Sequence, residues 1–256
     1  MLTNSINPVL FHLGMFQVRY YGIIFAAGFI IVYYMLLWFT KKRQLDYTPK
    51  ELDDFLLYLV IGVVAGARFF EFVFYHPSVF FTDPLEILKV WHGGLSFHGG
   101  FIGAVIAVIL FCKRKSKNPL ELMDALVVPS ILALAFGRLG NFTNSELYGP
   151  PTDVSWCVQF TMVDDLCRHP YQIYASLSHL LLFTILLYTY ARYWQTKGVT
   201  FVTFLGGYGA LRVITDFFRE EPKYWLGLST GQWLCAAMIV IALAFHKIII
   251  VKRKKN

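Results

Sequence analysis

Charge is what this chain has least of. Asp, Glu, Lys and Arg make up 15% of its 256 residues, against about 25% in a soluble domain, and the polar stretches between apolar runs are all short. The shortage excludes a soluble globular fold. Disorder is excluded too, because a disordered chain is poor in aromatics and this one has 24 Phe and 15 Tyr beside 10 Pro. Zinc-type spacings of Cys and His are missing, as are internal repeats and low-complexity tracts. Neither a metal site nor a duplicated transporter is indicated. A positive n-region is also lacking, since the first 18 residues are interrupted by Asn4, Asn7, Pro8 and His12. The first span is therefore expected to be the targeting element, with no cleaved leader.

What is abundant is apolar surface: 57% of the residues are hydrophobic and the mean hydropathy is +0.54. A bilayer core takes about 20 apolar residues per helix, and the pattern predicts seven helices, roughly Tyr20–Thr40, Asp53–Tyr75, Phe97–Cys112, Glu121–Phe136, Tyr171–Arg192, Thr200–Phe217 and Gly231–Val251. The third and fourth are short. Most prolines fall between or at the edges of these runs; Pro129 sits inside one, where a kink is expected. The expected fold is all-α and polytopic, a single membrane-embedded domain over residues 1–256 with short interfacial or re-entrant segments.

The formal net charge of +7 is a topology signal, not a nucleic-acid footprint, because the bases cluster at the ends of apolar runs: Lys41, Lys42 and Arg43; Lys113, Arg114, Lys115 and Lys117; Lys252 to Lys255. Segments after the first, third, fifth and seventh spans hold about 15 of the 23 Lys and Arg, which predicts an outside N-terminus and a cytoplasmic C-terminus. The working segments, His76 to Leu95, Arg138 to Pro170 and Phe218 to Thr230, then face outward. Cys157 and Cys167 share one of them. A disulfide and two buried apolar thiols are both open there.

Ionisable groups inside a bilayer cost about 2.5–3.5 kcal/mol each at a helix centre. Arg68 and Glu71 share a face of the second span, Arg212 and Asp216 a face of the sixth. Spacings of three and four residues allow each pair to neutralise itself. Alternatively, two arginines in a low-dielectric region form an anchor for one phosphate, because guanidinium presents a planar donor fork. A phospholipid headgroup is the local anion. The glycine-rich run from Trp91 to Gly100 turns tightly before an apolar helix and delivers His98 to the membrane edge, as a general base near neutral pH or as a hydrogen-bonded structural residue. Ahead of it, Pro84, Leu85, Ile87, Leu88 and Trp91 suggest a short interfacial helix. From Gly137 to Gly149, Arg138, Asn141, Asn144 and Glu146 stand among three glycines, more hydrogen-bonding capacity than a helix exit requires. Such a cluster suits phosphate and glycerol hydroxyls, with Glu146 orienting the arginine or a hydroxyl.

The stretch GRLGNFTNSELYG over residues 137–149 resembles the signature of the prolipoprotein diacylglyceryl transferases. Arg19-Tyr-Tyr-Gly22, Ser96-Phe-His-Gly-Gly100, Arg168-His-Pro-Tyr-Gln-Ile-Tyr174 and Tyr208-Gly-Ala-Leu-Arg212 are similar to that family's motifs in type and order. Asp216 departs from the family's usual Glu, Ala175 follows Tyr174 where Glu is common, and Glu71 stands at an often aromatic position. The resemblance implies a multi-pass enzyme of a bacterial cytoplasmic (inner) membrane, with its site toward the outer face. It implies transfer of a diacylglyceryl group from phosphatidylglycerol to the lipobox cysteine of a preprolipoprotein signal peptide, releasing glycerol 1-phosphate. Catalytic roles would fall to His98, Arg138 and Arg212. Substrate contacts would come from Arg138, Asn141, Asn144, Glu146, Gly149, Tyr21, Arg68, Gln172, Tyr208 and Asp216. No metal, cofactor or nucleic acid is expected. A phospholipid flippase or scramblase is the competing reading, since it too needs headgroup arginines but no activated thiol. Intramembrane proteolysis has little support, with neither HExxH nor GxGD present.

Overall fold

The computed structural model describes residues 2–13, 16–90 and 94–255. Among them seven helices are long and apolar enough to cross a membrane, the polytopic α-helical frame expected: α1 (Tyr20–Lys41), α2 (Pro49–Phe70), α4 (Phe97–Lys115), α5 (Pro119–Thr143), α6 (Tyr171–Tyr193), α7 (Val199–Thr215) and α8 (Thr230–Lys255). A short α3 (Pro77–Thr82) lies between α2 and α4. The chain forms two compact units, one of Leu36–Met123 and one of Met1–Met35 with Asp124–Asn256.

In the Leu36–Met123 unit, α2 opens on a capping box. Thr48 accepts from the Glu51 amide (3.2 Å), the Glu51 carboxylate accepts from the Thr48 amide (2.8 Å), and Pro49 takes the first helical position, so donors that a helix start leaves orphaned are satisfied. The helix packs on α4 through glycine. Gly62 and Gly66 on α2 face Gly99 and Gly103 on α4: a Cβ at Gly62 would overlap the Gly103 carbonyl oxygen, and one at Gly99 the Gly66 carbonyl oxygen. Two small-xxx-small stripes thus bring the backbones into contact, the packing mode that works where lipid removes the hydrophobic drive between helices. α2 ends in a π-helical turn (Glu71–Tyr75), and α3 and a 3₁₀ turn (Pro84–Leu88) follow. The short interfacial helix expected from Pro84 onward is a 3₁₀ turn over Pro84–Leu88, with Leu85 and Leu88 exposed. Trp91, His92 and Gly93, which open the glycine-rich run, lie outside the described residues.

In the other unit, α5 runs through Pro129 as one helix and extends to Thr143, seven residues past the expected end at Phe136. Gly137 and Gly140, beyond the expected end, are helical; Gly140 lets Tyr21 lie against α5, where a Cβ would sit 3.1 Å from the Tyr21 ring. Asp124, near the start of α5, accepts from the amides of Gly198 (2.5 Å) and Phe201 (2.7 Å) and so caps α7 from a neighbouring helix. That carboxylate also complements the positive end of the α7 dipole. α8 starts on a Ser229–Gln232 capping pair.

Among the described residues five short strands lie outside the spans, where an all-α fold was expected. β1 (Leu2–Asn4) pairs in parallel with β4 (Val158–Phe160), which pairs antiparallel with β5 (Cys167–Arg168). β2 (Val9–Leu13) and β3 (Phe16–Arg19) form a hairpin. Cys157 and Cys167 are joined as a disulfide across the β4–β5 pair.

Candidate active site

The site is built at the end where α5 and α7 finish and α6 begins. Because α5 continues past Phe136, Arg138 and Asn141 stand one helical turn apart on the same face. Arg138 is 9% exposed, and the one hydrogen bond it makes among the described residues is a long one, 3.4 Å to the Asn141 side-chain oxygen. Guanidinium carries five donors. The Glu146 carboxylate accepts from Asn141 (3.2 Å) and Asn144 (3.1 Å), and the Glu146 carbonyl from Gln172 at the start of α6 (2.6 Å). Ser145 and Leu147, on either side of Glu146, both have left-handed backbone (φ 55° each), unusual for residues with a Cβ and concentrated at functional turns. The turn is braced from far away in sequence: Asn4 donates to the Phe142 carbonyl (2.7 Å).

α7 supplies the second arginine. Arg212, 8% exposed, donates to the Tyr208 hydroxyl (3.0 Å) and lies 3.3 Å from the Asp216 carboxylate, so the self-neutralising pair read from the sequence is formed. Tyr171, the first residue of α6, donates to the same carboxylate (2.5 Å). His179 stacks on the Tyr208 ring, with centroids 5.6 Å apart and planes at 19°. Tyr171 and His179 each interact electrostatically with both Arg138 and Arg212, and Tyr21 with Arg138 and Glu146. Nine of the expected residues thus converge in this unit: Tyr21, Arg138, Asn141, Asn144, Glu146, Gln172, Tyr208, Arg212 and Asp216. Tyr171 and His179 are additions, and a lone histidine within a span is the signal that would have found the latter.

Other expected residues are placed differently. Gly149 packs under the chain: a Cβ there would collide with the Phe218 carbonyl and His169, its amide donates to the His169 carbonyl (2.9 Å), and its carbonyl accepts from Arg168 (3.2 Å). Arg68, 2% exposed, donates to four backbone carbonyls, Glu86 (2.5 Å), Ile87 (3.0 Å), Lys89 (3.0 Å) and Gly94 (3.2 Å), and lies over the Phe72 ring. The fork expected at a headgroup is turned onto the chain itself: the carbonyls of Ile87 and Lys89 accept from it, and that of Glu86 takes it as a second donor beside the Lys89 amide. His98, half-buried, is the second residue of α4, whose cap is Ser96.

Arg168 is a further buried cation, paired with Asp164 (2.5 Å) and Glu220 and lying over Tyr148. Its hydrogen bonds hold the Asp164 carboxyl below the usual carboxylate range, and Asp164 in turn raises the guanidinium.

Seven helices able to span a membrane among the described residues, with a buried, hydrogen-bonded centre that holds Arg138 and Arg212, define a multi-pass membrane protein. The chain belongs to the prolipoprotein diacylglyceryl transferase family, whose model matches residues 8–248. Proteins named phosphatidylglycerol–prolipoprotein diacylglyceryl transferase are similar along nearly the whole length. That of Cupriavidus metallidurans is 41% identical over 248 residues, covering 92% of this chain and 90% of its own. The Aromatoleum aromaticum protein is 41% identical over 244 residues, covering 92% of each. Polynucleobacter asymbioticus has one 40% identical over 243 residues, covering 92% and 93%.

Proposed function

We propose that this chain transfers the diacylglyceryl group of phosphatidylglycerol to the thiol of the lipobox cysteine in a preprolipoprotein. The observation that carries the reading is Arg138: a guanidinium nine-tenths buried, with one long hydrogen bond among the described residues, in a unit that also holds Arg212. Such a group suits an anion, and a phosphate accepts from it bidentately. In the reaction the thiolate sulfur forms a bond to the glycerol carbon of the diacylglyceryl moiety as that carbon's bond to the phosphate oxygen breaks. Glycerol 1-phosphate leaves, and the thiol proton passes to a base. Charge grows on the departing phosphate, where Arg138 and Arg212 stabilise it more than in the bound lipid. Asn141, Asn144, Glu146, Gln172 and Tyr21 supply donors and acceptors for the headgroup hydroxyls. Tyr208 and Asp216 hold Arg212. The displacement itself needs no cofactor.

The assay is direct. Purified protein with phosphatidylglycerol and a lipobox peptide in mixed micelles is expected to yield a thioether-linked peptide by mass spectrometry. Movement of phosphatidylglycerol between leaflets without thioether would replace the proposal with lipid translocation. We assign the thiol's proton to His98, a half-buried imidazole in the first turn of α4. His98→Gln is then expected to keep lipid binding and lose about 10²–10⁴-fold in rate, the usual contribution of a general base, together with the acid limb of the pH–rate profile. A variant that keeps both rate and limb moves the proton to another group.

We also place the site on the outer face of a bacterial cytoplasmic membrane. The Lys and Arg distribution supports this, and so does the Cys157–Cys167 disulfide, which suits an oxidising compartment. Cysteine probes are expected to be labelled from outside at Thr152 and protected at Ser116; the reverse pattern overturns the orientation.

A further inference from the structure

We propose that His179 is a positioning residue for the transfer reaction, setting the Arg212 guanidinium through the ring of Tyr208. This rests on the diacylglyceryl transfer reading above. Buried positions on α6 recur as Gln172, Ala175, Ser176, His179, Leu182, Leu186 and Tyr190, one stripe at helical spacing. His179 is the imidazole of that stripe, 4% exposed, and its Nδ1 has no hydrogen-bond partner among the described residues. One face of the imidazole lies against the Tyr208 ring.

Tyr208, 1% exposed, is held between two rings: His179 at 5.6 Å and 19°, and Phe204, one turn earlier on α7, at 5.5 Å and 29°. Both distances fall in the range of offset stacking. A phenol stacked on two faces keeps one ring plane, and its hydroxyl then has one location, 3.0 Å from Arg212 Nη1. The opposite edge of the guanidinium is fixed by Asp216, whose carboxylate Tyr171 holds. Two aromatic residues of α6 therefore set Arg212 from two sides, Tyr171 through the carboxylate and His179 through the phenol. An arginine that stabilises charge only as the phosphate departs acts in proportion to its placement, and a displacement of about 1 Å costs about 10²-fold in rate. Loss of the His179 ring leaves Tyr208 with one stacking partner and a wider range of positions.

The test separates ring, nitrogen and fold. His179→Phe keeps a ring and loses both nitrogens, and is expected to hold kcat within about threefold of the wild type. His179→Leu and His179→Met remove the ring at similar volume and are expected to lower kcat about 10–100-fold, with the KM for phosphatidylglycerol little changed. In a Tyr208→Phe background, where the hydroxyl that contacts Arg212 is gone, His179→Leu is expected to add less than about threefold. A readout without turnover is the ¹⁹F signal of 3-fluorotyrosine at position 208, expected to shift or broaden in the ringless variants and stay in place in His179→Phe. Phe as damaging as Leu, a full second loss in the Tyr208→Phe background, or a ¹⁹F signal that ignores the ring would each overturn the inference. A wild type that makes no thioether while the ¹⁹F pattern holds overturns the transferase reading instead, leaving the ring-to-ring coupling in place.

Discussion

Arg68 and Arg138 are both more than nine-tenths buried in a membrane protein, 2% and 9% exposed, and their surroundings use them in opposite ways. Around Arg68 the chain wraps four carbonyls onto one guanidinium, so the side chain closes a backbone segment. Around Arg138 the neighbours hydrogen-bond to one another: Asn141 and Asn144 turn their amides to Glu146, and Arg138 keeps one long contact. Burial does not distinguish an arginine that closes the fold from one with donors to spare. The destination of its donors does, because a group whose N–H bonds are matched by carbonyls has nothing left for a ligand.

Arg138→Ala sets the largest expected effect: a loss of about 10³-fold or more in thioether formation, with a melting temperature in detergent close to that of the wild type. Lys at this position should restore little, since an ammonium has no fork. A variant that melts early with near-normal turnover would make Arg138 a second clamp and remove the contrast. Arg68→Ala should behave in the opposite sense, losing about 3 kcal/mol of stability as buried carbonyls lose their donor, while the folded fraction keeps its turnover. Unchanged stability with lost activity would place Arg68 among the lipid ligands. The smallest effect belongs to Asp164→Asn, which tests a third arginine by its pH dependence. Arg168 depresses the Asp164 carboxyl, so its stabilisation is full above the ordinary carboxylate pKa, about 3.9, and fades as pH falls through the lower folded value. Wild type and variant melting curves should therefore differ at neutral pH and converge under acid; a constant gap would assign the effect to packing.

The spans were legible because hydropathy over about 20 residues is a local property, and so was the Arg212–Asp216 pair, from its spacing of four. The Gly137–Gly149 cluster was legible in content but not in form. The helix was expected to end at Phe136, whereas Gly137 and Gly140 belong to α5 and one of them makes room for Tyr21. The β1–β4 pairing joins Leu2–Asn4 to Val158–Phe160, and no three-residue strand announces a partner that far along the chain. Tyr171 was hidden for another reason, and His179 showed only as a lone histidine within a span. On a helix already rich in apolar and aromatic residues, a ring that matters by its angle to another ring looks like filling.

The glycine seam between α2 and α4 bears on bilayer thickness. Backbones in contact have no rotamers to exchange, so neither helix can slide or tilt without the other. α2 with its π turn makes a span of 27 residues and α4 one of 19, roughly 40 Å and 29 Å at the helical rise, against a hydrocarbon layer of about 30 Å. A free 27-residue helix would meet a thinner membrane by leaning over; fastened to α4, it carries along a helix that is already short. The pair is therefore a gauge whose range is set by its shorter member.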